Sequence, residues 1–164
     1  MNVQGLPMET NRITRRSALR LAAAGLIVPA VGSQAMPAAA GSGRDIARQA
    51  AKYRGLPYVW AGNSPRTGFD CSGLTQFVVR KVTGVDITHS VELQWNYGSR
   101  VEYGRWKPGD LIFFQNTYQP GLSHVGIFLG RDRFIHAENE DTGVVITDIA
   151  AEYYATRYAG ARRM

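Results

Sequence analysis

The stretch around the only cysteine of the chain constrains the fold more than any other. Cys71 follows a loop rich in glycine, proline and asparagine, and a helical pattern begins directly after it. The apolar residues of that pattern recur at spacings of three and four, as one face of a helix requires: Leu74, Phe77, Val78 and Val82. We therefore expect a helix from Ser72 to about Val82 that ends before Gly84.

The residues beside the cysteine are typical of a helix start. Asp70 and Ser72 belong to the residue types that accept hydrogen bonds from the free N–H groups of a first helical turn. The sequence therefore predicts a thiol at a helix N-terminus, where the helix dipole favours the reactive thiolate. The alternative interpretation is that Cys71 is a small buried apolar residue.

Residues 1–40 have the pattern of an export signal followed by a linker. Thr14-Arg15-Arg16-Ser17-Ala18-Leu19-Arg20 resembles the twin-arginine motif. The uncharged apolar stretch over residues 21–31 is shorter than the about 20 residues that span a bilayer. Small residues allow signal cleavage after Ala35 or Ala40. We expect export to the periplasm or cell wall without a stable membrane anchor; the alternative is an uncleaved anchor or amphipathic helix.

Export changes what a lone cysteine means. In an oxidising compartment cysteines usually form disulfide pairs, so an unpaired thiol is a liability unless it reacts. The formal net charge of +6 is less informative, because the first 35 residues hold four arginines and one glutamate. The remainder is mildly basic and has no basic run, so a nucleic-acid partner is not expected.

The rest of the pattern predicts helices first and a sheet afterwards. Short helices are expected at 46–53, after Ser90 and at 149–154. A short aromatic strand or extended segment is expected at 58–62, an extended segment at 85–88 and a polar loop before Lys107. Strands are expected at 111–114, 123–129, 133–137, 144–147 and 158–162. The predicted fold class is α+β, with N-terminal helices packed on a central antiparallel sheet over residues 41–164.

Two of the three histidines fall on one predicted hairpin around Gly130-Arg131-Asp132. If the hairpin is symmetric about Gly130, His124 lies directly opposite His136, with Cβ atoms about 4.5–5.5 Å apart. If the pairing is shifted by two, the histidines become diagonal neighbours at about 7–8 Å and still share one face. A shift by one would place them on opposite faces.

Two neighbouring imidazoles and one thiol allow three interpretations. In the first, one histidine deprotonates Cys71 and the second orients the first, as in a catalytic triad. In the second, Cys71, His124 and His136, with or without His89, bind zinc. No spacing here matches a zinc motif, so no metal or other cofactor is expected. In the third interpretation, His124 and His136 are ordinary histidines of a sheet.

Five ordered motifs between about Ile46 and Arg163 resemble the NlpC-type family of papain-like cell-wall peptidases. They are Gly55-Leu56-Pro57-Tyr58-Val59-Trp60, Phe69-Asp70-Cys71-Ser72-Gly73-Leu74, Lys107-Pro108-Gly109-Asp110-Leu111-Ile112-Phe113-Phe114, Ser123-His124-Val125-Gly126-Ile127-Phe128 and Phe134-Ile135-His136-Ala137. The resemblance implies a papain-like α+β fold, with the nucleophile at a helix N-terminus packed against an antiparallel sheet.

The resemblance also implies a role for each site residue. Cys71 is expected to be the nucleophile, His124 the general base and His136 the orienting residue. The backbone N–H of Cys71 would be a natural oxyanion donor. The expected substrate-binding or oxyanion residues are Tyr58, Asp70 and Ser72, and Asp70 is expected to cap the helix, bind a substrate amine, or both.

The chain departs from the family pattern at two places. His89 stands where the family often has an arginine, and Trp60-Ala61-Gly62 replaces a more usual Trp-Gly-Gly. Neither departure touches the three catalytic positions. We expect His89 to be a surface histidine, and the alternative is that it alters the substrate cleft.

The resemblance implies hydrolysis of peptidoglycan stem peptides, usually between D-glutamate and a diamino acid such as meso-diaminopimelate. The expected function is thus that of an exported cysteine endopeptidase with a Cys-His-His triad. The alternatives are an amidase or acyl or peptidyl transferase with the same apparatus, or a non-catalytic wall-binding protein. Peptidoglycan peptide is the expected partner, and the catalytic domain either finds the wall alone or is recruited by a protein that the sequence does not identify.

Overall fold

The computed structural model describes residues 42–164, so the predicted export signal and the linker up to residue 40 lie outside the described part of the chain. The helices are α1 (Gly43–Ala51), α2 (Cys71–Thr83), α3 (Val91–Gln94) and α4 (Glu152–Ala155). The strands are β1 (Asn63–Ser64), β2 (Gly68–Phe69), β3 (Ser99–Val101), β4 (Leu111–Gln115), β5 (Leu122–Gly130), β6 (Arg133–Ala137), β7 (Val144–Asp148) and β8 (Tyr158–Arg163).

Six of these strands form one sheet in the order β3-β8-β4-β5-β6-β7, and every neighbouring pair is antiparallel. Helices α1 and α2 pack on its central strand β5. One apolar cluster fills the space between these helices and the sheet, and a second covers the opposite face. The predicted α+β class is confirmed. Within residues 42–164 no helix combines the length and apolarity needed to cross a membrane.

Local sequence signals set both ends of α2. The Asp70 carboxylate accepts a hydrogen bond of 2.7 Å from the N–H of Gly73, so Asp70 is the N-cap and Cys71 is the first helical residue. The helix ends at Gly84, whose left-handed φ of 78° turns its N–H back to the carbonyl of Arg80. The helix therefore starts one residue before the predicted position, and its predicted apolar face is buried or partly buried against the core.

The β5–β6 hairpin has the shifted register. Ile127 pairs with Ile135 and Phe128 pairs with Phe134, so the expectation of directly opposed histidines is wrong. A two-residue turn causes the shift, because Arg131 and Asp132 both adopt left-handed φ values of 54° and 58°. An even shift preserves the side-chain alternation, and both histidines therefore remain on one face as diagonal neighbours.

The two extended segments predicted near α2 are not strands. Tyr58 forms a single bridge to Phe69, and the chain then turns because Ala61 is left-handed at φ 57°. Strand pairing begins only at Asn63. The segment 85–88 is also irregular, because Thr88 adopts a left-handed φ of 68°.

Two further expectations are corrected after α3. The polar loop before Lys107 contains β3, which pairs with β8 at the edge of the sheet. The last helix begins at Glu152 rather than at Ile149. The backbone N–H of Ile149 donates to the carbonyl of Asp132 at 2.7 Å, and this long-range bond holds Ile149 outside the helix.

Candidate active site

Cys71 lies at the N-terminus of α2, packed against the central strand β5. It is only 5% exposed. Burial and the neighbouring Asp70 charge raise the pKa of Cys71 to about 12, against an opposing effect of backbone N–H groups that include those of Val125 and Ser72. Because Val125 directly follows His124 on β5, these contacts place the thiol beside the strand that carries the predicted base.

Three side chains joined by hydrogen bonds form a row that leads from the thiol side across the sheet. His124 Nε2 lies 2.8 Å from Nδ1 of His136, and Nε2 of His136 lies 2.9 Å from Oγ1 of Thr147. Both imidazoles are buried, and the His136 ring stacks on Phe134 with a centroid distance of 4.5 Å. Each His136 nitrogen therefore has a partner, which fixes the orientation of its ring.

The remaining ring nitrogen of His124, Nδ1, forms no hydrogen bond to any residue of 42–164, and no hydrogen bond joins Cys71 to His124. In the tautomers in which Nε2–H of His124 donates to His136 and Nε2–H of His136 donates to Thr147, Nδ1 of His124 is left as a proton acceptor.

Burial sets the protonation of the pair. It lowers the pKa of His124 to about 4, which the charge of Asp70 partly opposes. Burial also lowers the pKa of His136, and the neighbouring His124 lowers it further. Since burial also raises the pKa of the Cys71 thiol, it favours a neutral thiol beside a neutral imidazole at pH 7. This effect opposes the thiolate that a helix N-terminus alone would favour.

The Asp70 carboxylate connects three neighbours in front of α2. It accepts hydrogen bonds from the N–H of Gly73 at 2.7 Å and from the hydroxyl of Ser72 at 3.0 Å. His89 Nε2 lies within 2.9 Å of both of its oxygens. The side chain of His89 is only 24% exposed, so the prediction of a surface histidine is wrong.

The absence of a side chain at Gly73 makes this arrangement possible. A Cβ atom there would lie 2.9 Å from Nε2 of His89 and would collide with the carbonyl oxygen of Gly62. The glycine of the Asp-Cys-Ser-Gly motif is therefore required by close approach of the loop and of the imidazole.

A cleft of about 270 Å³ opens over Cys71. It collects all three predicted substrate-binding residues together with His89, and its lining is Tyr58, Trp60, Ala61, Asp70, Cys71, Ser72, His89, Ser90, Val91, Glu92 and Tyr118. Burial raises the pKa of Tyr58 to about 12, so its hydroxyl keeps the proton and is a hydrogen-bond donor at neutral pH. The cleft therefore offers donors and carboxylates around the thiol.

A buried amide supports the cleft from behind. Gln94 is fully buried, and its Nε2 donates to the carbonyl oxygens of Ser72 at 2.8 Å and of Thr88 at 2.7 Å. Its Oε1 accepts from the hydroxyl of Thr75 at 2.7 Å. One side chain thus joins the first turn of α2 to the segment that carries His89.

Sequence reasoning missed Thr147, Tyr118 and Gln94. Thr147 lies 11 residues from its histidine partner, and Gln94 lies 22 residues from Ser72. No local pattern marks such contacts. A polar residue within the apolar positions after Ser90 was the one available signal for Gln94. Within residues 42–164 no three His, Cys, Asp or Glu side chains converge as metal ligands.

Comparison with known proteins gives a consistent result. The NlpC/P60 family profile matches residues 55–163. The chain is 42% identical over 118 residues to the Gamma-DL-glutamyl hydrolase of Bacillus subtilis, covering 72% of this chain and 28% of that protein. It is 34% identical over 112 residues to the Murein DD-endopeptidase MepH of Escherichia coli, covering 67% of this chain and 41% of that protein. The chain thus spans less than half of these curated relatives.

Solved structures agree with the sequence comparison. The NlpC/p60 domain of the peptidoglycan hydrolase SagA superposes with a TM-score of 0.66 at 35% identity, covering 75% of this chain and 99% of that domain. The helices, the six-stranded antiparallel sheet and the family match lead to one conclusion: this chain belongs to the NlpC/P60 family.

Proposed function

We propose that this protein is an exported cysteine endopeptidase that hydrolyses peptidoglycan stem peptides at the bond between D-glutamate and a diamino acid. The observation that carries the proposal is the hydrogen-bonded row of Thr147, His136 and His124, with both imidazoles buried, next to a lone cysteine at a helix N-terminus. An orienting group, a base and a nucleophile in this order are what covalent acyl transfer needs. The names of the relatives, a γ-DL-glutamyl hydrolase and a murein endopeptidase, support the substrate class.

The reaction begins from the neutral pair. As the amide carbonyl binds, the Cys71 proton moves to Nδ1 of His124 and the sulfur attacks the carbonyl carbon. Backbone N–H of Cys71 and the hydroxyl of Tyr58 donate to the developing oxyanion. The His124 imidazolium, oriented by His136, then gives its proton to the leaving nitrogen, and the C–N bond breaks. Water, deprotonated by His124, cleaves the thioester and regenerates the thiol.

The triad is tested with three variants of the full chain on purified peptidoglycan. Cys71→Ala and His124→Ala are both expected to abolish release of soluble muropeptides, and Cys71→Ala is expected to leave the melting temperature close to that of the wild type. His136→Asn is expected to reduce kcat less than His124→Ala, because an amide still accepts from Nε2–H of His124. Undiminished wall digestion by Cys71→Ala would refute the nucleophile.

The bond is tested by mass spectrometry of the digested muropeptides. Hydrolysis at the proposed bond yields one fragment ending in D-glutamate and one with a new amine on the diamino acid. A product joined to an added amine would identify a transferase, and intact muropeptides would favour a wall-binding protein. Either of these results overturns the proposed hydrolysis.

Export is tested apart from catalysis. Residues 1–40 fused to a folded reporter are expected to carry it out of the cytoplasm, and replacement of both Arg15 and Arg16 by lysine is expected to stop this. A reporter that stays in the cytoplasm with the unaltered segment contradicts the export proposal and leaves the chemistry untouched.

A further inference from the structure

A second pocket, of about 460 Å³, opens beside His124. Only Tyr118 lines both this pocket and the cleft over Cys71. The two cavities are therefore neighbouring halves of one groove, and the Tyr118 ring lies between them. The lining of the second pocket is Thr117, Tyr118, His124, Glu138, Asn139, Tyr153 and Tyr154.

The order of events in acyl transfer says which part of a substrate each half receives. The acyl carbon bonds to Cys71, so the acyl residue lies in the half that contains the thiol and the helix N-terminus. The base returns its proton to the leaving nitrogen, so the leaving residue lies on the side of His124. The pocket beside His124 is therefore the place of the leaving residue.

One carboxylate dominates the charge of this pocket. Glu138 is the only acid in its lining, which contains no lysine or arginine. Its two oxygens each accept one hydroxyl, Oε1 from Tyr154 and Oε2 from Thr142, both at 2.8 Å. Among the ion pairs of residues 42–164 none involves Glu138. The carboxylate is thus held in place by neutral donors, and each oxygen keeps a free lone pair.

The aromatic walls of the pocket suit the methylene chain of a bound side chain rather than a second charged group. Tyr154 is 6% exposed, and its ring packs against His124 and His136 at centroid distances of 6.2 and 5.1 Å. Tyr153 is half-exposed, and the guanidinium of Arg157 covers one face of its ring at 4.0 Å. Since Arg157 already occupies that face, attraction for a cation in the pocket comes from Glu138.

We propose that this pocket selects a leaving residue whose side chain ends in an ammonium group, with the methylenes against Tyr153 and Tyr154 and the ammonium on the Glu138 carboxylate. The inference rests on the proposed function for its substrate, and it adds the residue that reads the diamino acid. It also predicts rejection of a glutamate in the leaving position, because two carboxylates would then meet in one pocket.

Binding to an inert background tests the pocket independently of catalysis. The Cys71→Ala full chain is titrated calorimetrically with three peptides, L-Ala-γ-D-Glu-X-D-Ala, in which X is L-lysine, L-norleucine or L-glutamate. We expect the lysine peptide to bind at least tenfold more tightly than the norleucine peptide, and the glutamate peptide to bind most weakly. Adding Glu138→Gln is expected to bring the lysine-to-norleucine affinity ratio close to one.

Two controls make the result specific. Glutamine keeps an oxygen for Tyr154 and a donor for Thr142, so Glu138→Gln is expected to melt within a few degrees of its parent. Asp141→Asn removes an acid from the same loop that does not line the pocket, and it is expected to preserve the tenfold ratio. Equal affinities in the parent, or a ratio that survives Glu138→Gln, would overturn the assignment of the pocket. Failure of the wild-type protein to digest the wall would instead count against the proposed function alone.

Discussion

The buried amide of Gln94 is predicted to be one of the largest single polar contributors to stability near the site. Replacement by methionine keeps most of the side-chain volume and removes the oxygen and the amino group together. Three hydrogen bonds of 2.7–2.8 Å disappear, to the carbonyls of Ser72 and Thr88 and from the hydroxyl of Thr75. Methionine accepts only weakly and donates nothing, so none of them is replaced.

The expected cost follows from the partners that remain. The Thr75 hydroxyl has a single proton, and once Gln94 is gone it can donate that proton to the carbonyl of Ser72 or of Cys71. The Thr88 carbonyl loses its side-chain donor in a part-buried position. Two bonds are therefore lost net, and at about 1 kcal/mol for each of them Gln94→Met should lower the free energy of unfolding by about 2 kcal/mol. That corresponds to a fall in Tm of about 6 °C for a domain of this size.

The assay is equilibrium unfolding in urea, followed by circular dichroism, with Gln76→Met as the matched control. Gln76 lies on α2, and its amide donates a hydrogen bond of 2.8 Å to the exposed carboxylate of Asp86. Its replacement should change the free energy of unfolding by less than about 0.5 kcal/mol. A Gln94→Met variant within 1 kcal/mol of wild type would refute the reasoning that this amide joins α2 to the His89 segment.

The remaining predictions concern charge. Asp70→Asn keeps the helix cap and removes a charge that raises the pKa of Cys71, so iodoacetamide should alkylate the thiol faster at pH 8. The control is Asp86→Asn, and an Asp70→Asn rate no faster than that of the control would argue against this coupling. Burial lowers the pKa of His124 to about 4, so the unfolded chain binds the extra proton below pH 6.5 and stability falls on acidification from pH 6.5 towards 4. Between pH 7 and 5 the urea-derived free energy of unfolding should drop by about 2 kcal/mol from this residue, and His124→Phe should lessen that drop. Equal pH slopes in the two proteins would contradict it.

Local patterns predicted the elements that carry the site. The spacing of Leu74 and Val78 determined the buried face of α2, and Asp70 and Gly84 determined its ends, because caps act within one turn. Side-chain alternation placed His124 and His136 on one face, since a shift of two residues in a strand does not change the face.

Local patterns failed where distant segments compete for the same backbone groups. The stretch 58–62 looked like a strand by composition, yet its N–H groups bond within a turn or to Phe69, and pairing is delayed to Asn63. The bond between Ile149 and Asp132 shortens the last helix in the same way. Such choices depend on which partner lies opposite, and a one-dimensional pattern does not contain that information.

The sequence by itself determined a helix with a cysteine at its start and a hairpin with two histidines on one face, because capping and alternation are short-range effects. Only the tertiary structure decided what surrounds them: the pairing of His89 with Asp70, the support of His136 by Thr147, and the place of Glu138 beside the base. It also added an effect that opposes the expected charge state. A helix N-terminus alone favours a thiolate, but burial of both Cys71 and His124 favours the neutral pair, because desolvation acts through the whole packed environment.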